Sequence, residues 1–292
     1  MVIAEEIAKA GFQDIIYDIG SDHAHLPIYL VKSGLCGLAA ATDISPASVV
    51  RAAQNAAAER VADKIQSYTG DGFTSLADYR PGKIVVCAGI GGKNLAELIY
   101  RGFERASAAS RLILQPMNSL EILREWLLDN MFSINYERLA REGGRIYSIM
   151  FCNYAGVPQE YARSELYAGR NVVYTDAGDY LHFLKFTRSK ILNRYNGLIK
   201  SMNNPNNGGQ CGQACCRGGL SDADCGSLSD ADCGSGLCRA ACGCGCRRND
   251  TRFSGNPFAD GCGSSYEIRD LKNILHTIEN LIDKAGGSNG KN

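Results

Sequence analysis

The chain has 292 residues, with 31 Lys and Arg against 31 Asp and Glu, a formal net charge of zero and a hydrophobic fraction of 45%. That length predicts two domains with a real core, and the overall charge names no partner. No apolar run reaches the length of a membrane span and no signal peptide is read at the N-terminus, so a cytoplasmic protein with no membrane contact is expected.

The first ten residues read as an amphipathic helix carrying Glu5, Glu6 and Lys9. Short apolar runs then predict strands over 14–18, 38–43, 65–69, 83–88 and 111–115. Helical patterns are predicted between them over 26–32, 46–60, 94–105 and 119–130. Such alternation implies right-handed βαβ crossovers and a mostly parallel sheet with helices on both faces. Two further strands, 132–140 and 146–153, flank the turn signal Arg141-Glu142-Gly143-Gly144 and read as an antiparallel hairpin at one edge. Residues 154–178 read as a connection. A long helix is expected over 179–202, with Leu181, Leu184, Ile191, Tyr195, Leu198 and Met202 on a heptad seam that Arg188 interrupts. A second helix over 265–284 has the seam Ile268, Leu271, Leu275, Ile278 and Ile282. Such a pair forms an antiparallel coiled-coil arm or packs onto the first domain.

The segment between those helices breaks the pattern. Residues 203–264 hold ten of the 13 cysteines, and Leu220–Ser227 repeats verbatim as Leu228–Ser235. Glycine, serine and aspartate dominate it, so a low-complexity, disordered insert is expected. Cys242, Cys244 and Cys246 alternate with glycine, a soft-metal pattern. There is no paired C-x-x-C spacing and no histidine in the cluster, so no metal site is predicted. Cys36, Cys87 and Cys152 read as small buried hydrophobes.

The chemistry concentrates at predicted strand ends. Asp18 and Gly20 close the first strand, where a nucleotide-like cofactor is received beside a helix start. The loop continues with Asp22 and His23 instead of further glycine. Carboxylates repel a pyrophosphate, so a cationic cofactor, S-adenosylmethionine, fits better than a dinucleotide. Asp22 taken alone reads equally as a helix N-cap. Asp43 ends the second strand, at the place of a ribose-binding acid, and Ile44 beside it can pack on adenine. Asp71 and Gly72 follow the third strand, where an acid can accept from the adenine amine. Ala88, Gly89 and Gly91 end the fourth, where glycines let backbone approach the methionine half and a target base. His23 is expected either to orient Asp22 or to contact the cofactor carboxylate; a structural histidine is the rival reading.

These motifs resemble a known family. D-I-G-S-D-H-A-x-L-P over Asp18–Pro27 is similar to the motif of the bacterial tRNA (adenine-22-N1) methyltransferases. The resemblance continues at 43–46, 70–72, 88–92, 112–116, Leu123-Arg124-Glu125-Trp126-Leu127 and Glu142–Tyr147, in the family's order and spacing. It covers roughly residues 1–155. It implies a Rossmann-like class I methyltransferase domain over 1–156 and a helical C-terminal domain over 157–292. It also implies S-adenosylmethionine as cofactor and tRNA as partner, with no obligate protein partner. Asp22 matches the motif's second acid and is the candidate catalytic carboxylate, assisted by His23. His25 stands where the family has Tyr. Asn118 is expected to read a base edge. Residues 163–200 carry seven basic against three acidic side chains. Lys185, Arg188, Lys190 and Arg194 there are the candidate phosphate contacts, with a solvated helix face as the alternative. A methyltransferase for a small molecule or protein, and a non-catalytic RNA- or metal-binding protein on the same fold, remain the other readings.

Overall fold

In the computed structural model the described residues are 2–76, 78–203 and 264–287. The Cys-rich segment lies outside them, and with it the metal and insert readings. Contacts divide the chain into two compact units, one of residues 1–189 with 274–292 and one of residues 190–273.

The first unit is built on an eight-stranded sheet. Its strands are β1 (Gln13–Ile19), β2 (Cys36–Asp43), β3 (Ile65–Thr69), β4 (Ile84–Ile90), β5 (Arg111–Pro116), β6 (Phe132–Glu142), β7 (Arg145–Tyr154) and β8 (Val172–Val173). The order across the sheet is β3-β2-β1-β4-β5-β7-β6-β8. The first five strands are parallel, and β7 runs antiparallel to both β5 and β6. The predicted Rossmann-like architecture with its antiparallel hairpin is therefore present, although β8, not the hairpin, forms that edge of the sheet. Strand order reverses between β1 and β4, which opens a crevice at their carboxyl ends.

Alternation along the strands feeds two cores. Ile15, Tyr17, Ile19, Val85, Cys87, Leu112 and Leu114 face one layer, with Leu95 and Ile99 of α4 (Gly92–Arg101) and Leu123 and Leu127 of α6 (Leu120–Asp129). Ile16, Ala39, Ala41, Val86 and Ile113 face the other. Against them pack Ile7 of α1 (Val2–Lys9), Ile28 and Leu30 of α2 (His25–Lys32) and Ala52 and Ala56 of α3 (Pro46–Ala58). Cys36, Cys87 and Cys152 are buried free thiols, as expected. Helix α3 starts cleanly because Pro46 occupies its first turn and the Ser45 hydroxyl accepts the Ser48 N–H at 3.3 Å.

Two differences from the expected elements have physical causes. The predicted helix 94–105 is split into α4 and α5 (Phe103–Ser107) at Gly102. A Cβ there would stand 2.3 Å from the Phe73 Cβ, so only glycine admits that close approach. The expected connection 154–178 contains α7 (Arg163–Ala168) and β8, which pairs parallel with β6. That segment is fixed by a buried ion pair. Arg124, 1% exposed, meets Glu137, 0% exposed, through Nε–Oε1 at 2.9 Å and Nη2–Oε2 at 2.8 Å. Arg124 also donates to the Leu166 carbonyl, and Glu137 accepts from the Ser148 hydroxyl and the Arg170 N–H. Every polar contact needed to bury the pair is thus supplied.

Helix α8 (Ala177–Met202) and helix α9 (Ser264–Gly287) run through both units. In the first unit Leu184, Ile274, Leu275 and Ile278 are buried, and Arg188 reaches Glu279 at 2.7 Å. In the second, Ile191 and Leu271 are buried, and Arg194 pairs with Glu267. The Arg188 interruption of the seam is therefore an ion pair at its edge.

Candidate active site

The turn after β1 is held by β2. The N–H groups of Gly20 and Ser21 both donate to the Thr42 carbonyl, at 2.8 and 2.9 Å. Gly20 sits at φ +74°, and a Cβ on it would stand 2.8 Å from Ile90 Cδ1. Asp18 is 6% exposed and accepts the Ser21 hydroxyl at 2.6 Å. Burial pushes its carboxyl up to about 6, against the opposing pull of that hydrogen bond.

Asp22 follows with φ +47° and Ala24 with φ +56°. Asp22 does not cap α2: the cap position belongs to Ala24, which has no side-chain cap bond. The Asp22 side chain turns to other partners. Its Oδ1 accepts from Arg51 Nη2 at 3.1 Å, and its Oδ2 lies 3.2 Å from His23 Nε2. The Ser48 hydroxyl and then the Arg51 guanidinium hold its carboxyl below the usual carboxylate range, although the group is exposed. The His23 ring stacks on His25 at 5.4 Å, and the His23 carbonyl accepts from Asn55 Nδ2 at 3.0 Å.

Asp43 joins the two strand ends. Its Oδ2 accepts the Asp22 N–H at 3.1 Å and its Oδ1 accepts the Ser45 N–H at 2.8 Å. Ile44 next to it is 74% exposed. Asp71 is gripped by Arg101 of α4, with Nη1–Oδ2 at 2.8 Å and Nη2–Oδ1 at 3.2 Å. Gly72 is buried under Leu98 at φ +61°.

A second group gathers at the ends of β4 and β5. Gly89, at φ +78°, donates its N–H to Gln115 Oε1 at 2.8 Å, and a Cβ on it would meet nothing within 4 Å. Met117 N–H donates to the Ile90 carbonyl, and Gly92 N–H to the Asn118 carbonyl. The Asn118 side chain packs on Gly91, 3.1 Å from where a Cβ would sit. Ala88 is half-buried beneath this loop. A groove of about 460 Å³ between α2 and α3 borders the Asp22 loop through His25 and Asn55.

The structure therefore brings Asp18 and Gly20, tied through Ser21 and Thr42, onto the same turn as the Asp43–Asp22–His23 chain of contacts, and sets Asn118 against Gly91 beside the Gly89–Gln115 bond. Lys185, Arg188, Lys190 and Arg194 lie on α8, not on these loops, and Arg188 and Arg194 are engaged by glutamates. Arg51, Asn55, Arg101 and Gln115 have no counterpart among the expected site residues. Among the described residues no His/Cys/Asp/Glu group has the arrangement of a metal site, and no helix is long and apolar enough to cross a membrane.

A strand-end site of this form on such a sheet is that of a methyltransferase, and the chain belongs to the family described as "Methyltransferase domain", which it matches over residues 2–150. More specifically, it is 28% identical over 155 residues to the tRNA (adenine(22)-N(1))-methyltransferase of Bacillus subtilis, covering 53% of this chain and 65% of that protein. It is 30% identical over 137 residues to a Mycoplasma genitalium protein assigned to the tRNA methyltransferases, covering 47% and 60%. The chain thus spans less than two thirds of the length of each of these two relatives. A Streptococcus pneumoniae structure, ascribed to a tRNA (m1A22) methyltransferase and solved with S-adenosyl-L-methionine, is 27% identical, with a TM-score of 0.57 and coverage of 65% of this chain and 89% of that one. The resemblance carried by the motifs is borne out.

Proposed function

We propose that the protein is an S-adenosylmethionine-dependent methyltransferase acting on N1 of an unpaired adenine in tRNA, at the position corresponding to adenine 22. One observation carries the reading. Three acids gather at the reversal of strand order, Asp43 holding the Asp22 N–H and Asp18 holding the Ser21 hydroxyl of the same turn, where a phosphate-binding loop would have offered glycine and free N–H groups instead. Acids repel a pyrophosphate and suit a sulfonium. The activity of the Bacillus relative and the cofactor in the Streptococcus structure point the same way.

The residues fit that cofactor. Each Asp43 oxygen accepts one N–H and keeps a lone pair for a ribose hydroxyl. Ile44 offers an exposed apolar surface for the adenine face. Asp71 and Gly72 border the adenine edge, with the Asp71 carboxylate set by Arg101. Gly89, beside Ala88 and Gly91, would leave open backbone for the methionine half. When bound, the cofactor supplies an electrophilic methyl group, and its sulfur takes the bonding pair.

Adenine N1 attacks with its own lone pair, so no prior deprotonation is needed. The ring becomes cationic as the bond forms. Asp22, kept ionised by Ser48 and Arg51, supplies the countercharge. His23 orients it from Oδ2. Asn118, against Gly91, reads the base edge. N1 lies on the Watson–Crick edge, so the base must be unpaired or flipped. In this reading the C-terminal region 157–292 supplies α8 and α9 as a coiled-coil-like arm, on which Lys185, Arg188, Lys190 and Arg194 would approach the phosphate backbone. A tRNA substrate implies a cytoplasmic enzyme.

The test is incubation of tRNA lacking the modification with methyl-labelled cofactor, followed by nucleoside analysis. Label in N1-methyladenosine is expected. Label in an exocyclic amine, in protein, or nowhere rejects the reading.

A further inference from the structure

Helix α3 presents Ser48, Arg51 and Asn55 at i, i+3 and i+7, one face of a helix. The adjoining stripe of the same helix, Ser48, Ala52 and Ala56, is buried against the core. All three polar side chains act on the loop after β1. Arg51 Nη2 donates to both Asp22 Oδ1 and Ser48 Oγ at 3.1 Å. Asn55 donates to the His23 carbonyl at 3.0 Å.

That loop needs holding. Asp22 and Ala24 are non-glycine residues in the left-handed region, a strained conformation that persists only when the surroundings impose it. The Asp22 carboxylate is also exposed, so no packing fixes its aim. The neighbours that reach its oxygens are Arg51 and Ser48 on α3 and His23 on its own loop.

We propose that Arg51 is a positioning residue for methyl transfer, which fixes the direction of the Asp22 carboxylate from α3 while Asn55 fixes the main chain behind it. The proposal rests on the reading of Asp22 as the acting carboxylate. The partners of the Arg51 guanidinium are Asp22 and Ser48. It acts through Asp22: the single terminal nitrogen Nη2 serves both Asp22 Oδ1 and Ser48 Oγ from a planar guanidinium, whose fixed donor directions a lysine ammonium reproduces only in part.

The test compares wild type, Arg51→Met, Arg51→Lys, Asp22→Ala and the double variant Asp22→Ala/Arg51→Met in the full chain. Arg51→Met should lower kcat about ten- to a hundredfold, as displacement of an aligned group does. KM for S-adenosylmethionine should stay within about twofold and Tm should hold, because exposed pairs add little stability. Arg51→Lys should recover part of the loss. The double variant should be no slower than Asp22→Ala, since an aim cannot matter once the carboxylate is gone. Three results overturn the proposal: a wild-type kcat in Arg51→Met, a raised KM for tRNA with kcat unchanged (which makes Arg51 a phosphate contact), or losses that add in the double variant. A wild type inactive on tRNA defeats the tRNA reading alone. Arg51 is then judged by the Asp22 amide and His23 ring resonances of Arg51→Met, and unchanged resonances overturn the proposal.

Discussion

The Asp43 carboxylate accepts the backbone N–H of Asp22 at 3.1 Å, so the acid that ends β2 fixes the main chain of the acid that follows β1. The same carboxylate receives Ser45 N–H ahead of α3. One side chain thus ties the cofactor end of the crevice to the candidate catalytic loop. Asp43→Ala is expected to weaken S-adenosylmethionine binding about ten- to a hundredfold, the scale of a lost hydrogen bond to a charged group. Turnover at saturating cofactor should fall as well, because Asp22 loses its anchor. Calorimetric binding and steady-state rates measure the two separately. A variant that binds cofactor normally removes Asp43 from the ribose role.

Asp22→Ala should behave differently. If its carboxylate acts as proposed, on the ring as it becomes cationic, cofactor affinity should stay within about twofold while kcat falls roughly a hundredfold or more. In that role the ionised form is the one required, and Ser48 and Arg51 hold its titration below the usual carboxylate range. As pH falls, activity attributable to Asp22 is lost only in acid below that range. The kcat profile between pH 5 and 8 should therefore carry no limb from Asp22. An acid limb near 6 that vanishes in Asp18→Asn points to Asp18 instead.

Asp18 affects stability with the opposite sign. Burial raises its folded-state value to about 6, above its unfolded value. Its contribution is fully present below the unfolded value and is lost as pH rises through about 6. Asp18→Asn removes a carboxylate that must ionise in a buried place. The cofactor-free variant should be more stable than wild type at pH 7, by on the order of 1–3 kcal/mol. The advantage should disappear below about pH 4, where both states of the wild type are protonated. Urea melts at pH 4 and pH 7 decide this. A variant less stable at both values sinks the account.

The central parallel strands were legible because they hold short apolar runs buried on both faces, as Ile15-Ile16 and Val85-Val86 are. Strand β8 was not, because two valines carry no periodicity. Nor was the break at Gly102, which depends on Phe73, far away in sequence. The site divides in the same way. Asp18, Gly20, Asp22 and Asp43 announce themselves as acids and glycine at strand ends. Arg51, Asn55, Arg101 and Gln115 look like solvated polar positions until the fold brings their partners. Arg124 falls inside a recognisable run, yet nothing local marks it as buried: its partner Glu137 stands on the next strand, in a segment that alternates polar and apolar like any half-exposed edge.

That buried pair carries its own prediction. Removing one partner leaves the other charge buried without compensation, which typically costs about 3–5 kcal/mol. Arg124→Met and Glu137→Leu should each destabilise by that order. The double variant should lose less than the two single losses combined, because it leaves no orphaned charge. Helix α7 and β8 should loosen first, since Leu166 and Arg170 are held by the pair. Hydrogen exchange over residues 163–173 reads this directly. Unchanged protection there in Arg124→Met counts against the clamp.

The basic face of α8 can be tested in both directions. If Lys185, Arg188, Lys190 and Arg194 meet phosphates, neutralising all four should weaken tRNA binding and flatten its salt dependence, by roughly one unit of slope for each phosphate left without its cation. Arg188 and Arg194 are held by Glu279 and Glu267, which compete with phosphate for the same guanidinium groups. Both pairs are exposed enough to contribute only about 0–1 kcal/mol to stability. Glu267→Gln with Glu279→Gln should therefore leave the helices folded and strengthen tRNA binding while steepening its salt dependence. Titrations at two salt concentrations separate the outcomes. Unaltered affinity in both the neutralised and the unmasked variants makes α8 an ordinary solvated face and moves the search for the tRNA-binding surface elsewhere.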